Sequence, residues 1–214
     1  MLQKSLDRVR EAPEAGGAGC SGKQDREAGF TLIELMVVML IMAILLAIAI
    51  PTFLGTRNTA NNRATQSTLE NALTTAKAYF ARTQNFTPSG NCGTAPAANL
   101  ACLLAQSEPQ IGFQAAGGSS SGPNTVVVSE SAFAGSWPVT GGATPVSNAV
   151  LLVGYSKSGT CWSILDIEVP PAAGGAIDGE TNAGTFYGST KATGATCTAA
   201  NAPAAAANWY SSFQ

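Results

Sequence analysis

An α+β fold is predicted: a long N-terminal helix, first transmembrane and then amphipathic, packed on a small antiparallel β-sheet of three or four strands. Three observations predict it. From Phe30 to Leu54 the chain runs 25 residues with one charge, Glu34. The apolar pattern then changes to three- and four-residue steps as far as Phe80, the spacing of one helix face. Beyond Thr125 the signals become those of strands, with a paired run at Ala149–Tyr155 and Thr160–Val169.

The span is long enough for a membrane. At 1.5 Å per residue its helix reaches about 37 Å, against a hydrocarbon core of roughly 30 Å. A charge in hydrocarbon costs about 2.5–3.5 kcal/mol or more, so Glu34 needs a reason. Near the end of the span Pro51 lacks an N–H and cannot bond the carbonyl of Ala47, and Gly55 follows; a kink is expected between 47 and 55. Met1–Ala28, before the span, is polar and charged and has no apolar core, unlike an ordinary secretory signal. The residues ahead of Cys20 are glycine and alanine, which argues against lipid attachment there.

The junction Gly29-Phe30-Thr31-Leu32-Ile33-Glu34-Leu35-Met36 resembles the cleavage and methylation signature of type IV prepilins and their relatives. The resemblance covers about Gly29 to Phe80. It implies a leader, 1–29, removed on the cytoplasmic side by a prepilin peptidase that cuts between Gly29 and Phe30 and then N-methylates Phe30. Pro51 lies where the family has its helix-kinking proline. The resemblance also implies a role for Glu34: its carboxylate faces the charged N-terminus of a neighbouring subunit when helices pack side by side, and buried charges are tolerated when paired. The competing view is an acid close enough to the interface to snorkel, favoured by the positive end of the helix dipole.

After the span, 55–82 continues as the amphipathic half of the helix. Leu69, Ala72, Leu73, Ala76, Tyr79 and Phe80 form the stripe expected to pack on a globular C-terminal domain, 83–214. Asn85–Pro123 is rich in proline, glycine and serine and reads as loops, with a short helix at Leu100–Gln106. Thr125–Ser129, Ala149–Tyr155 and Thr160–Val169 are the strands, with Ser156–Gly159 as a turn. Asp166 and Glu168 alternate with Leu165, Ile167 and Val169, and an exposed strand face accounts for them without chemistry.

Of five cysteines, Cys20 falls in the leader. Cys92, Cys102, Cys161 and Cys197 form an even set in an exported segment and read as two disulfides. Three pairings are open; the sequence-local one, Cys92–Cys102 with Cys161–Cys197, is favoured. Zinc ranks lower because no close C-x₂₋₄-C pair is present. Asp178–Asn182 has oxygen ligands at alternate positions, mildly like a calcium loop, but lacks the distal glutamate; a solvated turn is the better reading.

Composition narrows the function. The chain has 214 residues, 11 basic and 13 acidic; five of each lie in 1–29, leaving six and eight. That sparse, balanced set does not suggest nucleic acid as a partner. With no histidine, Ser-His and Cys-His nucleophiles are impossible. No catalytic residue, cofactor or metal is expected. The resemblance implies a structural subunit of a type IV pilus, held in the cytoplasmic membrane as a precursor and polymerised with itself into an extracellular filament by an assembly platform. A pseudopilin of a type II secretion or DNA-uptake system shares the same N-terminal residues and is the alternative. A membrane-anchored enzyme or binding module is the third reading; it requires a cluster of ionisable residues in 83–214.

Overall fold

The computed structural model describes residues 30–87, 99–130, 139–140, 148–171, 176–177, 180–203 and 206–214. The chain divides after Leu46 into two units, Met1–Leu46 and Ala47–Gln214. Helix α1 (Leu32–Thr83) is 52 residues long. Its second half is rich in threonine, a β-branched residue of modest helix propensity. Those hydroxyls turn back onto the helix: Thr56 Oγ1 donates to the Thr52 carbonyl at 2.7 Å, Thr68 to Ala64 at 3.1 Å and Thr74 to Glu70 at 3.0 Å. The helix stops at Gln84, whose φ of 58° is left-handed and whose N–H donates to the Phe80 carbonyl at 2.7 Å.

Among its described residues the second unit carries α2 (Leu100–Ser107) and seven strands: β1 (Gly112–Gln114), β2 (Thr125–Glu130), β3 (Val139–Thr140), β4 (Ala149–Ser156), β5 (Thr160–Ile167), β6 (Ala176–Ile177) and β7 (Gly184–Lys191). Five of them form one sheet in the order β1-β2-β4-β5-β7, and β3 pairs with β6 apart from it. The β1–β2 pair is parallel and the other three are antiparallel. The sheet is therefore larger than the three or four strands expected. β7 escaped notice because Gly, Ser and Thr dilute its strand signal; it pairs along its whole length with β5, from Ile167 opposite Gly184 to Thr160 opposite Lys191. β4 and β5 form the predicted hairpin, turned at Gly159, whose φ of +87° favours glycine.

Apolar residues cover both faces of this sheet. On one side Leu69, Ala72, Leu73, Ala76 and Tyr79 of α1 meet Val126, Val128, Val150, Leu152, Trp162 and Ile164. Gly154 lets the helix come close: a Cβ there would lie 2.9 Å from Thr65 Cγ2. On the other side Val127, Leu151, Val153, Cys161, Leu165 and Ile167 pack with Ile177, Cys197 and Trp209. Alternation along β5 thus separates two buried faces and does not mark solvent. That overturns the expectation for Asp166, which is 1% exposed and points at α1.

Asp166 is buried with partners. Lys77 Nζ lies 2.9 Å from its Oδ1 and 3.6 Å from Glu168 Oε1, and Thr185 Oγ1 donates to Asp166 Oδ1 at 2.6 Å. Burial alone would lower the Lys77 pKa, but the hydrogen bond and charge of Asp166, with Glu168 behind it, carry it above the ordinary lysine value. Lys77→Ala should destabilise the domain by about 1–3 kcal/mol, less than a fully buried pair because the Lys77 side chain is 43% exposed. Chemical denaturation of the two proteins checks this, with Lys77→Ala/Asp166→Val expected to recover most of the loss; an unchanged midpoint in the single variant would show that the pair holds nothing.

Glu130 ends β2 buried, and its Oε1 accepts the Leu100 N–H at 2.7 Å, at the first turn of α2. Asn99 caps the same helix by accepting the Cys102 N–H at 2.8 Å. Burial pushes the Glu130 carboxyl above the ordinary glutamate value of about 4.5, with the Leu100 N–H pulling the other way. A raised folded-state pKa means that the folded chain prefers the protonated acid. The penalty is absent below about 4.5 and grows as pH rises through the folded value. Glu130→Gln keeps an acceptor for Leu100 and removes the titration. Its melting temperature should gain on the unsubstituted protein between pH 4 and 7 (~0.1 M salt); a gap independent of pH would refute the assignment.

Candidate functional site

The chemistry-bearing stretch is the start of α1. Thr31 and Glu34 form a reciprocal capping box. The Glu34 N–H donates to Thr31 Oγ1 at 3.3 Å, while Glu34 Oε2 accepts the Thr31 N–H at 2.9 Å and the Thr31 hydroxyl at 2.8 Å. The helix therefore opens two residues past the Gly29–Phe30 junction, and the one acid of the span has local partners. Thr31 had no role in the sequence argument beyond its place in the motif. Its signal was present, since Thr-x-x-Glu ahead of an apolar run is the capping-box pattern.

Every large apolar side chain from Phe30 to Leu54 is exposed in the protomer; Phe30 is 85% and Phe53 68% exposed. Phe30, Ile33, Glu34, Val37 and Val38 line one shallow depression there. An apolar surface this continuous marks a membrane or a partner. The helix is long and apolar enough to cross a bilayer, and none of its most apolar stretch is buried. Pro51 sits inside α1, and the single Thr52 O–H is shared between the carbonyls of Ala49 at 2.9 Å and Ile48 at 3.3 Å, next to the Ala47 carbonyl that the proline cannot bond.

The structure joins Cys161 to Cys197, with sulfurs 2.00 Å apart. Cys102 is also disulfide-bonded. Cys92, Gly29 and the rest of the leader lie outside the described residues, as does Asp178 of the calcium-like stretch. Around the disulfide, Ser120 and Cys197 exchange backbone hydrogen bonds at 2.8 and 2.9 Å, and Ser120 Oγ accepts the Tyr155 N–H at 2.8 Å. Cys197 therefore ties its loop to the interior strand β5 and to the loop at Ser120.

Comparison with known proteins bears on the same stretch. Residues 24–50 match the prokaryotic N-terminal methylation motif. The chain is 38% identical over 72 residues to the type IV major pilin protein PilA of Myxococcus xanthus, covering 33% of each. It is 48% identical over 44 residues to prepilin peptidase-dependent protein A of Clostridium perfringens, covering 21% of this chain and 31% of that one. It is 36% identical over 53 residues to competence protein ComGC of Halalkalibacterium halodurans, covering 25% and 52%. These matches span about a third to a half of the relatives' lengths. No solved structure matches. The opening of α1 is thus a prepilin-type N-terminal segment, carried by an α+β domain of pilin type. Over this N-terminal part the chain is similar to type IV pilins and related prepilin-type proteins.

Proposed function

We propose that the chain is a structural subunit of a type IV pilus, made as a membrane-anchored precursor and polymerised through α1 into an extracellular filament. The observation that carries this is the uncovered apolar half of α1, opened by a prepilin-type junction and interrupted only by Glu34. In this reading 1–29 is the leader and 30–54 spans the bilayer, then fills the filament core. Residues 55–82 carry the globular part, 83–214. A prepilin peptidase cuts after Gly29 and methylates Phe30, and an assembly platform adds the subunit to the growing fibre. Pro51 bends the apolar half where neighbouring helices must fit. Glu34 trades its Thr31 partners for the new amine of an adjacent Phe30.

The match to a competence protein favours a second reading, a pseudopilin of a DNA-uptake or secretion system, which uses the same N-terminal chemistry. Mass spectrometry of filaments sheared from the cell surface separates the two. An abundant chain beginning at methylated Phe30 supports the pilus subunit. The same N-terminus confined to the membrane fraction supports the pseudopilin. Intact 1–29 on a functional protein would leave a plain signal anchor.

A further inference from the structure

Four of the six cations that follow residue 29 are gathered at one end of the second unit, Ala47–Gln214. Ser156 Oγ donates to Asn62 Oδ1 at 2.7 Å and Ser158 Oγ bonds the same atom, so the β4–β5 turn lies against α1 at Asn62. Lys157 stands exposed in that turn. Lys191 pairs with Thr160 across β5 and β7, and the following Ala192 N–H donates to the Gly159 carbonyl at 2.9 Å, which places exposed Lys191 beside the same turn. Arg63 is the neighbour of Asn62 on α1, and Arg57 precedes Asn62 by about 7.5 Å of helix rise; both are exposed. These four are most of the six cations that follow residue 29. None forms an ion pair among the described residues, where Lys77 supplies both.

Among the described residues, the acids of the second unit lie elsewhere, except Glu70. Asp166 and Glu168 stand at the opposite end of the hairpin, by Lys77. Glu130 is opposite Val150, which is itself opposite Asp166. Glu180 bridges Ile177, ahead of the end of β7 that pairs with Ile167. Glu70, two turns past Arg63 along α1, lines a groove with it, and Glu108 follows the last turn of α2, which shares a groove with Arg82. The basic end is also where the apolar Ala47–Leu54 run of α1 gives way to polar sequence, with Arg57 three residues past Leu54.

A unit whose unpaired cations, Arg82 aside, gather where the apolar Ala47–Leu54 run ends is oriented by a negative surface. We propose that Arg57, Arg63, Lys157 and Lys191 dock this end on the anionic lipid headgroups of the leaflet from which α1 emerges, holding the subunit there until it is drawn into a filament. This rests on the reading of Phe30–Leu54 as a membrane span. A Lys or Arg at an anionic surface contributes enough to change the docked-to-free ratio about five-fold per cation, an attraction that fades within a Debye length of about 10 Å at 0.1 M salt.

The test uses the full chain reconstituted in phosphatidylcholine vesicles with or without phosphatidylglycerol. A Cys20→Ser/Thr193→Cys protein carries a donor dye beside Lys191, and a headgroup-labelled lipid is the acceptor. Energy transfer should be higher in the phosphatidylglycerol vesicles, and salt near 1 M should remove the difference. Arg57→Gln/Arg63→Gln/Lys157→Gln/Lys191→Gln should also remove it; all four side chains are exposed, and intact disulfides and circular dichroism would verify the fold. Equal, salt-independent transfer in both vesicles overturns the docking while leaving the span in place. Failure to float with either vesicle overturns the span itself, and the docking with it.

Discussion

Glu34→Gln should abolish surface filaments while the precursor still inserts in the membrane and loses its leader. Glutamine keeps a side-chain carbonyl for the Thr31 N–H, so the first turn of α1 still closes. What it lacks is the charge. In the proposed pilus reading, cutting the bond between Gly29 and Phe30 gives each subunit a new ammonium that enters a packed apolar surface. An ammonium left there without a carboxylate costs about 3–5 kcal/mol, the loss typical of breaking a buried pair. Each 1.4 kcal/mol is tenfold, so subunit addition weakens by about two to three orders of magnitude. Thr31→Ala separates cap from charge. It removes the hydroxyl that bonds Glu34 Oε2 at 2.8 Å and costs the helix about 1 kcal/mol, but keeps the carboxylate, and it should still assemble. Filament yield from sheared cells measures both variants. Normal yield from Glu34→Gln would sink the pairing argument and return Glu34 to the role of a helix cap.

The second large effect is on the C-terminal domain. Cys161→Ala/Cys197→Ala removes a cross-link between positions 36 apart. Chain entropy over a loop of that length predicts a loss of about 3–4 kcal/mol, on a model in which the cross-link acts through the unfolded state. The contacts of Cys197 raise the stakes. Its backbone pairs with Ser120, and Ser120 Oγ accepts the Tyr155 N–H, so one freed strand edge loosens two loops against the sheet. Denaturant unfolding of oxidised wild type and the double variant, in detergent, should differ by that amount with little change in slope. Reduction of the wild type should reproduce the variant. Equal midpoints would mean that the unfolded chain already holds this loop closed.

How far these features were legible depends on their range in sequence. The span, the capping box and the leader junction are local patterns. Their residues lie within a few positions of one another, and hydrocarbon imposes one answer on a long apolar run. The β4–β5 hairpin is nearly as local, and its register follows its turn. β7 was not readable because its partner fixes it: Gly184-Thr185-Phe186-Tyr187-Gly188-Ser189-Thr190-Lys191 has weak strand character alone and forms a strand because β5 offers it an edge. The same holds for β1, three residues set parallel to β2.

Asp166 shows the limit most clearly. In sequence it alternates with apolar neighbours, as a residue facing water does. Whether that face meets water depends on what lies across it, and α1 lies there, bringing Lys77 from 89 positions earlier. By itself the sequence determined the apolar half-helix, the place of its single acid and the prepilin-type motif around its start, because each follows from neighbours a few bonds apart. Only the tertiary structure decided that both faces of the sheet are covered, that Asp166 is a buried ion-pair partner, and that four scattered cations meet at one end. Those depend on distances between segments that composition and periodicity do not encode.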